Sequence, residues 1–205
     1  MRTNYLNPDL YNRLYSVMQY NNVLALRVSL ETGLRIDDVL SLRTENLKGR
    51  TIVGVAEKTD KPFKKTLSVD LAKRLRQVSG SDFLFPHRLK KDDHRTRQAV
   101  WKDVKKAARL LGIKGNIAPH SARKTYAVEL FRDQGISAVQ KQLQHDRIGT
   151  TMIYAFADLL DQGKKNECSN YDLDLLAEMI AEKVTVRLMG QLQNCNKKTQ
   201  NSIEL

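Results

Sequence analysis

Across 205 residues there are only two cysteines, four prolines and a single tryptophan. Cys168 and Cys195 both lie in the last fifth of the chain, with no histidine at a spacing suited to zinc. Neither a disulfide framework nor a structural metal is expected, and a reducing cytoplasm is the expected compartment. No apolar run approaches the roughly 20 residues of a membrane-spanning helix, so no membrane partner is expected. The opening stretch MRTNYLNPDLYNRLY has no apolar h-region and does not read as a secretory signal. Acidic residues are also scarce. There are 23 Asp and Glu against 35 Lys and Arg, a formal net charge of +12 and a pI near 9.7. With 41% hydrophobic residues the chain can bury a core, which excludes a disordered polyelectrolyte. A surplus of positive charge on a foldable chain points to a polyanionic partner, and nucleic acid is the commonest.

The charge is unevenly placed. Residues 1–154 hold 29 Lys and Arg against 15 Asp and Glu, a balance of +14, whereas residues 155–205 hold 6 against 8, or −2. The densest stretch, His87 to Arg109, carries nine Lys or Arg and three Asp. Its first part, to Arg95, reads as a polar loop. Its second has Val100, Val104, Ala107, Ala108 and Leu111 as the stripe of an amphipathic helix that stops at Gly112. A charge run of this kind is most often a solvated helix face. Here a basic loop leads into a basic helix bearing the only tryptophan, Trp101, which makes a grip on a phosphate backbone an equal alternative.

The fold class expected is mostly α with a small β ribbon. Helices are read over 8–20, 21–33 and 36–43, with Val23, Leu26 and Leu30 on the inner face of the second and Gly33 closing it. Thr51–Val55 and Phe63–Val69 are β-prone runs around a polar turn of Lys58, Thr59, Asp60, Lys61 and Pro62. Leu71–Val78 is read as helical, and Pro86 breaks the chain. Further helices are expected over 120–133, 136–143 and 147–157, then a polar linker, then a long amphipathic helix over 172–193. Internal repeats and low-complexity segments are not apparent.

Four segments carry chemistry: TGLRIDDVLSL at 32–42, EKTDK around Lys58, PHSARKTYA at 119–127 and LQHDRIGTTMIYAF at 143–156. Alone, each has a plain alternative: Arg35 can pair with Asp38, Lys58 competes with Lys61, Lys64 and Lys65, and Tyr154 can be a core aromatic. Taken in order, with a hairpin between the first and third, they resemble the catalytic domain of the tyrosine recombinases, the phage integrase family, over about residues 10–157. The resemblance implies that fold, with the DNA breaking and rejoining catalytic domain over residues 1–160. It also implies catalytic roles for Arg35, Lys58, His120, Arg123 and His145, a nucleophilic role for Tyr154, and a supporting role for Asp38.

A phosphodiester cleavage needs an oxygen nucleophile, an in-line leaving oxygen and compensation for charge on the non-bridging oxygens. Arg35 and Arg123 suit that last task, because guanidinium groups stay charged and grip phosphate bidentately. No carboxylate cluster accompanies them, so a metal-free mechanism with no ATP or other cofactor is expected. The resemblance further implies a 3′-phosphotyrosyl link to Tyr154. His120 would take the phenol proton, His145 would donate to a phosphate oxygen, and Lys58 would protonate the 5′ leaving oxygen. The expected activity is site-specific recombination of double-stranded DNA, as integration, excision or inversion. Relaxation in the manner of a type IB topoisomerase and non-cleaving DNA regulation are the alternatives.

Two departures from the family pattern stand out. Gln144 occupies the position before His145 where the family usually has glycine, and SARKTYA replaces a commoner leucine-containing form. Only some 30 residues precede Arg35, so a preceding DNA-clamping domain is not expected, and the chain reads as a short member or a fragment. Arg95, Arg97, Lys102, Lys105 and Lys106 are the expected DNA contacts. The linker and helix in residues 161–205 are expected either to dock on a neighbouring protomer within a synaptic tetramer or to cover the chain's own core.

Overall fold

A computed structural model describes residues 3–90 and 92–144. The expectations for His145, Tyr154, the helices at 147–157 and 172–193 and the intervening linker lie outside the described residues. Six helices, a short 3-10 turn and one small sheet make up the described part.

The helix α1 (Pro8–Tyr15) opens on Asn7, whose side chain accepts from the Asp9 amide, with proline in the first turn where its missing N–H costs nothing. It is shorter than the sequence pattern suggested, because the chain turns at Ser16–Met18 before α2 (Tyr20–Thr32) begins. Helix α2 is the centre of the molecule. Leu24, Ala25, Leu26 and Val28 are all buried, as are Asn22, Ser29 and Thr32, so it is enclosed on more faces than the single stripe of Val23, Leu26 and Leu30 indicated. Its buried hydroxyls are satisfied locally: Thr32 donates to the Val28 carbonyl at 2.6 Å and Ser29 to the Leu34 carbonyl at 2.7 Å. The next helix, α3 (Ile36–Leu40), is anchored by buried Ile36, Val39 and Leu40.

The expected ribbon is a three-stranded antiparallel sheet. Strand β1 (Leu47–Lys48) pairs with β2 (Thr51–Val55), which pairs with β3 (Pro62–Thr66). A two-residue strand has no periodic pattern to read, which is why β1 was not foreseen. Strand β3 also ends earlier than expected, because Ser68 accepts from the Leu71 amide and caps α4 (Val69–Val78). The basic helix is α5 (Arg97–Leu110). Thr96 caps it, and buried Val100, Val104, Ala107 and Ala108 face the core.

The last described element, α6 (His120–Leu143), is two helical pieces joined at Gly135, whose φ of 76° and ψ of −176° are open essentially to glycine alone. That break matters for the site. In a straight helix Arg123 and Leu143 would stand about 30 Å apart. Here the Arg123 guanidinium donates to the Leu143 carbonyl at 2.9 Å, because the second piece folds back on the first. Thr125 ties α6 to the amino-terminal segment by donating to the Leu6 carbonyl at 2.8 Å, and the Tyr11 hydroxyl lies 3.2 Å from it.

Helices α2 and α6 meet at Gly33. This residue caps α2 in the left-handed region, with φ of 72°. A β-carbon there would lie 2.4 Å from Tyr126 and 2.7 Å from Leu143. Gly33→Ala is therefore expected to cost about 2–5 kcal/mol, from left-handed strain and overpacking together. A fall in the urea midpoint with little change in slope would register it, and an unshifted midpoint would refute this account of the junction.

Candidate active site

The junction just described sets the two arginines. Once Gly33 has turned the chain out of α2, Arg35 begins α3 as its extended N-terminal cap, with φ of −67° and ψ of 148°. Arg123 projects from the first turn of α6 and is only 4% exposed. Its Nη1 donates to the Gly33 carbonyl at 2.6 Å and its Nη2 to the Leu143 carbonyl at 2.9 Å. Both acceptors belong to helix C-termini, where unpaired carbonyls and the helix dipole favour a cation. Carbonyls carry no net charge, so these two bonds fix the guanidinium plane without cancelling its charge.

Lys58 is brought in by the turn between β2 and β3. The turn closes through the Ala56 amide on the Lys61 carbonyl at 3.0 Å, and Asp60 takes a positive φ of 50°. Asp38, 4% exposed, pins this turn to α3 by accepting from the Glu57 amide at 2.9 Å. One carboxylate thus ties the residue before Lys58 to the helix that Arg35 starts. The other carboxylate oxygen, Oδ2, is buried without a hydrogen-bond partner among the described residues.

His120 starts α6. It is exposed at the mouth of the site, yet the wall shields its ring enough for desolvation to lead a downward shift of its pKa. Arg123, Lys124 and Arg35 add positive charge around it, and the imidazole is held neutral down to about 4. It is therefore a free base at neutral pH, able to accept a proton.

Arg35, Lys58, His120 and Arg123 line one open cavity of about 750 Å³. Arg97 and Trp101 of α5 complete its wall, and Asp37, the acid in the lining, is bridged to Arg97 at 3.2 Å. Arg35, Lys58, Arg97 and Arg123 against one engaged carboxylate make a receptor for an anionic group, and three of these four cations are guanidinium groups carried at helix starts.

The five expected DNA contacts divide. Lys102 and Lys106 are exposed on α5. Arg97 belongs to the cavity wall. Lys105 donates to the Asn116 side chain and lies 5.8 Å from the Trp101 ring, and Arg95 donates to Asn22 at 2.9 Å. These last two are engaged within the protein. His145 and Tyr154 lie outside the described residues. Beside the cavity lies a lysine that the sequence offered only as a competitor of Lys58. Lys65 of β3 donates to the Gln142 carbonyl at 2.9 Å and to its side-chain oxygen at 2.7 Å, beside Arg123. Strand alternation was the available signal, since Lys65 shares a face with buried Phe63.

The model of the Phage integrase family matches residues 4–159. Tyrosine recombinase XerD of Listeria monocytogenes is 30% identical over 169 residues, which are 73% of this chain and 56% of the relative. The integrase of Escherichia phage P2 is 28% identical over 154 residues, covering 75% of this chain and 43% of its own length. The chain spans about half the length of the curated relatives it matches. Among solved structures, the catalytic domain of bacteriophage HP1 integrase superposes with a TM-score of 0.56 at 19% identity. That match covers 81% of this chain and 96% of that one. The described helices and small sheet are the fold of the catalytic domains in this group, and the chain belongs to the phage integrase family.

Proposed function

We propose that this chain is the catalytic part of a site-specific DNA recombinase that cuts and rejoins double-stranded DNA through a 3′-phosphotyrosyl intermediate on Tyr154. The observation that carries the reading is the convergence of Arg35, Lys58, His120 and Arg123 on one cavity. Arg35 and Arg123 would hold the two non-bridging oxygens of the scissile phosphate. By analogy with other phosphoryl-transfer arginines, each is worth roughly 10³–10⁵ in rate, or about 4–7 kcal/mol of barrier. His120, neutral above about pH 4 in the free protein, would take the Tyr154 proton as the phenol oxygen attacks phosphorus. The bond to the 5′ oxygen breaks, Lys58 protonates that oxygen, and His145 donates to the phosphate. The phosphotyrosine keeps the bond energy, so a second 5′-hydroxyl can reverse the step without ATP. Outside the cavity, Lys102 and Lys106 would hold the duplex backbone, and helix 172–193 would join protomers in a synaptic tetramer. On this reading the chemistry would take place on chromosomal or mobile-element DNA in the cytoplasm.

The decisive test is incubation with nicked suicide DNA carrying the protein's own flanking genomic sequence, without divalent metal. A denaturant-resistant protein–DNA adduct is expected from wild type and none from Tyr154→Phe; an adduct from the variant, or none from wild type, overturns the assignment. A second expectation concerns pH. The lowered pKa of His120 means that kcat/KM for cleavage should hold as pH falls below the ordinary histidine value near 6.5, declining only toward the acid range. The sign for stability is the same: between about 4 and 6.5 the unfolded chain binds the proton that folded His120 refuses. Folding stability from this group is therefore complete above 6.5 and lost toward 4, and His120→Gln should flatten that dependence in urea titrations. Replacing Lys102 and Lys106 with glutamine should weaken binding while making its log–log salt slope shallower by about two. An unchanged slope would remove them from the backbone contact.

A further inference from the structure

The end of α6 is fastened by more donors than its helix geometry supplies, and two of them lie outside the cavity lining. Gln144 caps the helix in the left-handed region, with φ of 53° and ψ of 42°, where glycine is usual and a side chain is strained. Its Nε2 donates to the carbonyl of Pro62, the first residue of β3, at 2.8 Å. From the same strand, Lys65 Nζ reaches both the carbonyl and the side-chain oxygen of Gln142. Between them, the Leu143 carbonyl accepts from Arg123. Three successive residues are thus tied down individually, two of them to β3.

Lys65 is an unexpected choice for this place. It stands opposite buried Ile52 on the inward face of the sheet, where an apolar side chain would pack without penalty. As an ammonium it is half-buried and close to the Arg123 guanidinium. Desolvation first, and that neighbouring charge second, draw its pKa down to about 8. The Tyr126 ring, 5.8 Å away, offers partial compensation. Strand packing therefore does not call for a lysine, whereas the frayed carbonyls of a helix end do.

We propose that Lys65 and Gln144 form a clasp between β3 and the last turn of α6 that holds the Leu143 carbonyl under Arg123, making Lys65 a positioning residue for the phosphate contact. The inference rests on the strand-cleavage reading above. The Leu143 carbonyl is an anchor of the Arg123 guanidinium, and helix ends open readily when their carbonyls lack partners. Without the clasp the last turn frays, Arg123 loses its hold on the Leu143 carbonyl, and its plane rotates away from the geometry that grips phosphate. Lys65 itself touches no reacting atom.

The test combines single-turnover cleavage of nicked DNA at saturating protein, DNA affinity, and hydrogen exchange in the peptide spanning residues 138–144. Lys65→Met is expected to slow cleavage about tenfold to a hundredfold, with DNA affinity near wild type and faster exchange at the helix end. Lys65→Arg, which keeps cationic donors, should recover most of the rate. Gln144→Ala, which keeps the strain and loses the tether, should also speed exchange. Cleavage by Lys65→Met at the wild-type rate, equal loss of rate and affinity, or no recovery in Lys65→Arg would overturn the proposal. So would unchanged exchange in both Lys65→Met and Gln144→Ala. If Lys65→Met does not fold, Lys65→Arg and Gln144→Ala decide the matter by the same readouts. An inactive wild type would sink the cleavage reading instead, leaving exchange to judge the clasp.

Discussion

One guanidinium bridges the C-termini of two helices, and the arrangement around it follows from that bridge. Arg123 donates to the Gly33 carbonyl at the end of α2 and to the Leu143 carbonyl at the end of α6. Each of those helix ends presents unpaired carbonyls and the negative pole of a dipole, so a cation between them is favoured twice. The bridge has geometric demands that reach far from Arg123. Gly33 must lack a side chain so that Tyr126 and Leu143 can approach, and Gly135 must break α6 so that its second piece returns to its first. Removing either condition separates the anchors.

The other members of the site hang from the same frame. Gly33 releases the chain into α3 with Arg35 at its start, and Asp38 of α3 reaches across to the turn that carries Lys58. The result is a concentration of like charge around one cavity, together with a buried carboxylate oxygen that has no partner among the described residues. Both features disfavour the empty folded state. The crowding of cations is typical of a site preorganised for an anion, which repays that cost by supplying the missing negative charge. The neutral imidazole of His120 follows from desolvation first, with the field of the same crowded cations adding to it.

Helix α5 shows how one amphipathic stretch serves two ends. Its apolar stripe completes the core, Arg97 and Trp101 close the cavity, and Lys102 and Lys106 remain in solvent. The basic stretch that composition marks as a single patch is therefore divided by helical phase. Arg95 and Lys105 are turned to partners inside the protein, a difference that counting charges does not reveal.

Local rules in the sequence were enough for the existence of the described helices, though not for all their ends, for the β-prone pair and for the glycine that closes α2, because periodicity, capping and left-handed positions are written within a few residues. The order of Arg35, Lys58, His120 and Arg123 was equally legible as a pattern. What they form was not, since it depends on distances between segments up to 88 residues apart in the chain. The roles of Lys65 and Gln144 were hidden for the same reason. In sequence one is a fourth lysine in a basic hairpin and the other an odd residue before a histidine. The strand β1, too short for any period, escaped likewise. Sequence determined which residues were available and which local conformations they favoured. Tertiary structure decided which of the cations face one cavity and which fasten the scaffold, because a hydrogen bond across the fold depends on where two helices end.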